Sequence, residues 1–299
     1  MGISVSDIVT GRKTFFILPD TSLIPNSYLE DYFALGYECY FVEYDKRVDV
    51  KKKVEIILSL FQDVILFFNI DFPLPGVNWF DYIEDLVYHN PKARSSIGVL
   101  YTKRQTKSDK DTIEKRYLYE MGIQCGCIQL EYQKKQNFDL IAKTLFANQA
   151  QGRRKTIRAL CTPACTYTFV YGQHKESISG ILQDISLSHF TILSHGEPLP
   201  IKLYEKLLDI HFNIRGFLFR SDAVLVMERP VNEDMLYVFS FLTSTGANGL
   251  DERERGLLIP ALYKLLSINC SALLDQYYNK DESQEEVSEL TNVDENLIK

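Results

Sequence analysis

Apolar residues follow two different rhythms along this chain, and the change falls near residue 150. Before it, short apolar runs alternate with segments of helical spacing. Thr14–Pro19 is an apolar run stopped by Asp20-Thr21-Ser22, which predicts a buried strand. Pro25–Leu35 has helical spacing and stops at Gly36. Tyr37–Tyr44 predicts a strand and Val48–Phe61 a helix with Val54, Ile57, Leu58 and Phe61 facing inward. Asp63–Ile70 is almost continuously apolar, the mark of a strand covered on both faces. Trp79–Tyr88 (helix), Ser96–Tyr101 (strand), Asp111–Met121 (helix), Gln124–Leu130 (strand) and Asn137–Ala147 (helix) complete the series. Strand–helix units in series imply a parallel sheet with right-handed crossovers, whose ligand-facing edge is the carboxyl end of the strands.

After Ala150 the long helical segments disappear. Short stretches rich in Thr, Tyr, Phe, Ile and Val follow one another: Thr166–Tyr171, Ser177–Ile185, Phe190–Leu193, Phe212–Phe219, Ala223–Glu228 and Met235–Leu242. Turn residues separate them, and Tyr204–Leu208 predicts a short helical turn. Six short strands without intervening helices imply an antiparallel barrel. Asp251–Leu266 then has helical spacing, with Pro260 expected to kink or restart it. The expected organisation is an α/β domain over 10–148, a β-barrel domain over 149–278 and an acidic disordered tail over 279–299.

Composition changes this picture only locally. The 299-residue chain is 45% hydrophobic and 24% charged, which is globular, and its net charge is −7. Seven acids and two lysines lie between Asn279 and Lys299, so the remaining chain carries about −2, 31 basic against 33 acidic residues. A nearly neutral folded part argues against direct nucleic-acid binding. No apolar run approaches the ~18 residues that span a bilayer, so membrane insertion is not expected. The start of the chain does not read as a secretory signal, and the six cysteines are expected reduced, in a cytoplasmic protein. Cys125–Cys127 and Cys161–Cys165 have no second half-site at zinc spacing, so no metal site and no cofactor are expected. Asp20-Thr21-Ser22-Leu23 carries no glycine-rich phosphate loop, which disfavours a nucleotide-binding enzyme in the first half.

Basic residues do cluster at one place, the junction Gln151-Gly152-Arg153-Arg154-Lys155-Thr156-Ile157-Arg158. It holds Arg154-x-x-x-Arg158 directly before the first barrel segment. Asp184-Ile185-Ser186 follows about thirty residues later, at the end of a predicted strand. Together these resemble the PilZ family, whose pattern is R-x-x-x-R and then [D/N]-x-S-x-x-G. The resemblance covers roughly 151–278 and implies a six-stranded barrel with a final helix. It also implies cyclic di-GMP as ligand, held by Arg153, Arg154, Arg158, Asp184, Ser186 and His189. His189 stands where the family has glycine; histidine tolerates a left-handed backbone better than most residues.

Those residue types suit that ligand. Arginine's planar fork pairs bidentately with phosphate or with the O6/N7 edge of guanine, and it stacks on purines. A carboxylate only accepts, so Asp184 suits the N1–H and N2–H donors of guanine. Ser186 has two possible roles, donating to a phosphate or holding its loop.

The first half resembles the receiver domains of two-component signalling. Val64–Phe68 and the loop to Pro73 are similar to a receiver's third strand and acceptor loop, and Thr102 fits its switch threonine. The phosphoacceptor position is Asn69, however, and an amide is not a nucleophile at neutral pH. Asp20 has Pro19 rather than an acid beside it, and Glu131 falls near the place of the receiver lysine. The resemblance implies a pseudo-receiver without phosphotransfer.

The function expected is therefore a cyclic di-GMP effector, not an enzyme. Ligand at the interdomain arm would rearrange the domains and signal to a protein partner not named by the sequence. The alternative is a degenerate PilZ and pseudo-receiver pair acting as a nucleotide-independent interaction module. A third possibility, an enzyme using Asp20, Asp71 and Thr102, lacks a nucleophile–base pair or metal cluster.

Overall fold

The structure, a computed structural model, describes residues 8–90, 96–104, 106–152, 156–173, 175–196 and 198–296, with side chains described as far as Tyr278. The chain divides into two compact units, one of Val9–Arg153 with Ser271–Lys299 and one holding Arg154–Cys270.

The α/β unit contains five parallel strands in the order β2-β1-β3-β4-β5. They are β1 (Lys13–Ile17), β2 (Cys39–Val42), β3 (Val64–Asn69), β4 (Ile97–Thr102) and β5 (Cys127–Leu130). All of β1 and β3 is buried, as strands covered on both faces must be. The helices are α1 (Ser27–Ala34), α2 (Val50–Leu60), α3 (Trp79–His89), α4 (Lys107–Glu114) and α5 (Lys134–Ala147). Side-chain caps set several starts. Asp49 accepts from the Lys51 N–H, Asn78 from the Phe80 N–H and Thr106 from the Asp109 N–H, at 3.0, 3.0 and 3.1 Å. The Thr106 cap explains why α4 begins before the expected Asp111. It then runs into a π-helical turn over Lys115–Glu120.

The second unit is a closed antiparallel barrel. Its strands β7 (Cys165–Tyr171), β8 (Glu176–Ile185), β9 (His189–Ser194), β10 (Lys206–Ile214), β11 (Phe217–Val231) and β12 (Asp234–Leu242) pair in the circuit β8-β7-β10-β11-β12-β9. The pairing of β8 with β9 closes it. A two-residue strand, β6 (Ala159–Leu160), joins the end of β8. The interior is aromatic: Phe190 stacks on Phe239 at 4.9 Å and meets Phe212 edge-on at 4.9 Å, and Phe212 stacks on Phe219 at 4.7 Å.

Two expectations are corrected here. Phe212–Phe219 is not one strand but the hairpin between β10 and β11. Arg215 and Gly216 both have positive φ, 51° and 94°, the two-residue turn that matches strand twist. An Arg-Gly pair gives that turn without the usual asparagine signal; Asn213 supplies the amide instead, accepting the Gly216 N–H at 2.7 Å. Residues 206–208, expected as helical, begin β10, and the bend before them sits at Tyr204, φ 66°.

The final helix α6 runs Glu252–Asn296, through Pro260 and into the segment expected to be disordered. Gly256, four residues before the proline, has no Cβ to add crowding. The buried stripe continues past Leu266 through Cys270 and Leu273. By length and composition alone Glu252–Tyr278 would be long enough to cross a bilayer, a test that a core helix also passes, and 44% of its apolar window is buried within the fold. Asn269 of α6 donates to the Leu160 carbonyl at 2.9 Å, tying the helix to β6.

Candidate ligand site at the barrel end

Pairing of β6 with β8 sets Ala159 opposite Ile185 and Leu160 opposite Asp184. Arg158, the residue before β6, is thereby delivered to the end of β8. Its guanidinium lies 3.9 Å from the Asp184 carboxylate, both partly exposed. Two residues 26 positions apart in sequence thus meet. Arg153 and Arg154 lie outside the described residues.

Ser186 is buried and its hydroxyl is committed to the β8–β9 turn. Its Oγ accepts the His189 N–H at 3.0 Å and the Ser188 N–H at 3.3 Å, and it donates to the His189 carbonyl at 3.1 Å. The Ser186 N–H also donates to that carbonyl, at 2.8 Å. Of the two roles considered for Ser186, loop-holding is the one these hydrogen bonds describe.

His189 opens β9 and pairs with Ser240 of β12. It is not among the residues with positive φ, which corrects the expectation of a left-handed backbone there. Histidine in the glycine position therefore strains nothing, and the difference lies in the side chain. The imidazole Nδ1 is 2.8 Å from the Ser188 hydroxyl. Burial, and then the Arg158 guanidinium, hold its pKa below the usual value, with Asp184 acting in the opposite direction. The shift favours the neutral ring.

Two residues that sequence reasoning missed, Thr156 and Ser188, complete the arrangement. Thr156 Oγ1 is 2.9 Å from the Ser188 hydroxyl, a link from the arm to the turn that carries Ser186 and His189. Short polar side chains in x positions of a motif give no distinguishing signal, because Ser and Thr are common in any loop.

At the carboxyl edge of the parallel sheet, Asp71 and Thr102 also come together. Asp71 accepts the Thr102 N–H and hydroxyl, both at 2.7 Å, and both arms of the Arg104 guanidinium. Asn69 is buried, donating to the Leu18 carbonyl at 2.9 Å and accepting the Asp71 N–H at 3.2 Å. Asp20 is used in its own turn, accepting the Ser22 N–H at 2.9 Å. Lys103 pairs with Glu131 at 3.0 Å. The Asp71 carboxylate, two residues after Asn69, is thus occupied by an arginine. Arg104 was not singled out, because a basic residue in a loop has no sequence signature of its partner.

Burial pushes the Asp71 pKa up, but the Arg104 and Thr102 hydrogen bonds outweigh it, and the net direction is downward. A lowered folded-state pKa contributes stability above the unfolded value of ~3.9 and loses it as pH falls through the folded value. Asp71→Asn is therefore expected to destabilise the protein at pH 7 and to flatten the acid limb of its stability curve. Urea midpoints measured across the acid range check this; an Asp71→Asn variant with the wild-type slope would count against it.

A cavity of about 560 Å³ lies beside this edge, lined by Asp71, Phe72, Trp79, Arg116 and Tyr117 among others. Among the described residues, no three His, Cys, Asp or Glu side chains gather in a way that could hold a metal.

No protein-family model matches the chain, and no curated protein matches it. Among solved structures, it is similar to the PilZ domain of YcgR from Escherichia coli with c-di-GMP. That match has 22% identity and a TM-score of 0.32, and covers 40% of this chain and 98% of that one. For the larger YcgR in complex with c-di-GMP, also from E. coli, the values are 17% and 0.31, covering 44% of this chain and 50% of that one. For the MrkH–c-di-GMP complex from K. pneumonia they are 12% and 0.32, covering 38% and 52%. The match thus spans about half the length of these larger proteins.

Proposed function

We propose that the barrel is a PilZ-type receptor for cyclic di-GMP and that the chain is a cytoplasmic effector rather than an enzyme. The observation that carries this reading is the meeting of Arg158 and Asp184 at the barrel end, 3.9 Å apart. One fork of donors and one acceptor-only carboxylate, both partly exposed, are the groups a guanine edge and a phosphate call for. Ser186 and Thr156 hold the backbone that presents them. Arg153 and Arg154 are assigned to the ligand from the motif alone. His189 borders the same place, and its ring, whose protonation Arg158 disfavours, is a hydrogen-bonding neighbour of the Ser188 hydroxyl.

Residues 151–158 lead from the α/β unit into the barrel. A ligand that engages Arg158 acts on that connection, the proposed route to domain rearrangement and a protein partner. The α/β unit is read as a receiver-like scaffold without phosphotransfer, since Asn69 and the Arg104–Asp71 pair occupy the acceptor region.

Isothermal titration of the full chain with cyclic di-GMP is expected to give saturable heat at micromolar concentration or below. GTP, which offers one guanine and an open triphosphate, is expected to give none in that range. His189→Gly is expected to bind at least as tightly, because the imidazole adds bulk beside Arg158. A wild-type titration without heat would overturn the reading and favour a nucleotide-independent interaction module.

A further inference from the structure

The cavity at the carboxyl edge of the parallel sheet has no part in the proposed barrel site. Two segments form its walls. One is the connection from β3 to α3, where Phe72, Pro73 and Pro75 lead to Trp79 and Phe80 in the first turn of the helix. The other is the end of α4 with the π-helical turn after it, which brings Arg116 and Tyr117. Both walls are held in shape. The Trp79 indole N–H donates to the Phe72 carbonyl at 2.8 Å, the Val77 N–H donates to the Leu74 carbonyl at 3.1 Å, and each proline fixes its own φ. On the opposite wall the Met121 N–H donates to the Arg116 carbonyl at 3.0 Å, one residue further back than in an α-helix. Such wide turns recur at functional sites.

The volume of about 560 Å³ is in the range of small-molecule sites, and the lining is mostly apolar and aromatic, as in such sites. The polar groups on the walls decide which charge fits. Asp71 is already neutralised by Arg104 and hydrogen-bonded by Thr102. The Asn78 side chain is committed to capping α3, and the Thr112 hydroxyl donates to the Ser108 carbonyl at 2.8 Å. Arg116 is different. Its side chain is exposed, its guanidinium lies over the Phe80 ring at 4.3 Å, and no carboxylate pairs with it among the described residues. The N-terminus of α3, the positive end of its dipole, borders the same space. The acid of that first turn, Asp81, does not line the cavity.

We propose that this cavity binds a small aromatic carboxylate. The ring of the ligand packs against Phe72, Trp79 and Phe80, and its carboxylate pairs with the Arg116 fork beside the start of α3. A neutral aromatic leaves the guanidinium unused, and an aromatic cation meets like charge, so the site selects the anion. The lining residues all belong to the α/β unit, and the inference stands independently of what the barrel binds.

Trp79 is the single tryptophan of the chain, so its fluorescence reports on this wall. Titration of the full chain with 3-phenylpropionate is expected to change that emission saturably. The neutral 3-phenylpropionamide, of nearly the same size, is expected to bind about tenfold more weakly, as loss of one charge-assisted pair implies. The cation 3-phenylpropylamine is expected to give no saturable change. Arg116→Gln should lower the affinity for the acid to that of the amide and leave the affinity for the amide as it was. Because Arg116 is exposed, its thermal midpoint should stay close to that of the wild type. Emission that does not change saturably with the acid, equal wild-type affinities for acid and amide, or undiminished binding of the acid by Arg116→Gln would each overturn the inference.

Discussion

Arg158→Ala is expected to weaken cyclic di-GMP binding by about 10- to 150-fold while leaving the thermal midpoint almost unchanged. The size follows from losing charge-assisted hydrogen bonds of about 1.5–3 kcal/mol, with about 1.4 kcal/mol per tenfold in affinity. The small effect on stability follows from the site. Arg158 is partly exposed and its contact with Asp184 is 3.9 Å, a partly solvated ion pair of the kind that contributes about 1 kcal/mol or less. Arg158→Lys tests the chemistry further. It keeps the charge but loses the planar fork, so most of the affinity loss should remain. Ser186→Ala should behave differently, because its hydroxyl ties together the β8–β9 turn: stability falls first, and affinity falls with it. Calorimetric titration and thermal unfolding of the same preparations separate the two cases. Equal affinities for wild type and Arg158→Ala would remove Arg158 from the ligand site.

The site and the barrel were legible to different depths. The order and spacing of Arg158 and Asp184 anticipated a real meeting, because a short β6 paired to the end of β8 converts sequence distance into contact. The parallel sheet was legible for a simple reason: a strand buried on both faces, such as Val64–Asn69, is apolar at nearly every position. The barrel strands were harder. Half-buried strands have weaker patterns, and a turn such as Arg215-Gly216 hides inside a run of Phe and Leu. The start of β10 carries exposed Leu208 on a β-bulge, which breaks strict alternation. Polar groups paired at a distance in sequence were the least legible of all. Lys13 lies in β1 with Glu38 at 2.6 Å, and Asp71 is gripped by Arg104; nothing in the local sequence of either names its partner. The role of His189 was legible only as a departure from a motif. Its backbone turned out to be ordinary strand, so the consequence of the departure is chemical and not conformational.

Phe190→Ala is expected to have the largest effect on the barrel, about 3–5 kcal/mol of lost stability. Phe190 is fully buried and touches three other rings, stacked on Phe239 at 4.9 Å, edge-on to Phe212 at 4.9 Å and tilted against Phe241 at 5.2 Å. These partners come from β10 and β12, while Phe190 itself sits on β9, so truncation opens a cavity where strands from across the barrel meet. Domains of this kind are stable by only about 5–15 kcal/mol in total, so the loss is a large fraction. Phe190→Leu refills much of the space and should recover most of it. The position also couples packing to the site, because Phe190 directly follows His189 and pairs with Ile185, the residue after Asp184. Ligand affinity in Phe190→Ala should therefore fall without any change to a ligand-facing group, and Phe190→Leu should restore it together with stability. Denaturant unfolding followed by titration tests both halves. A truncated side chain with the wild-type midpoint would mean that this aromatic cluster does not hold the barrel together.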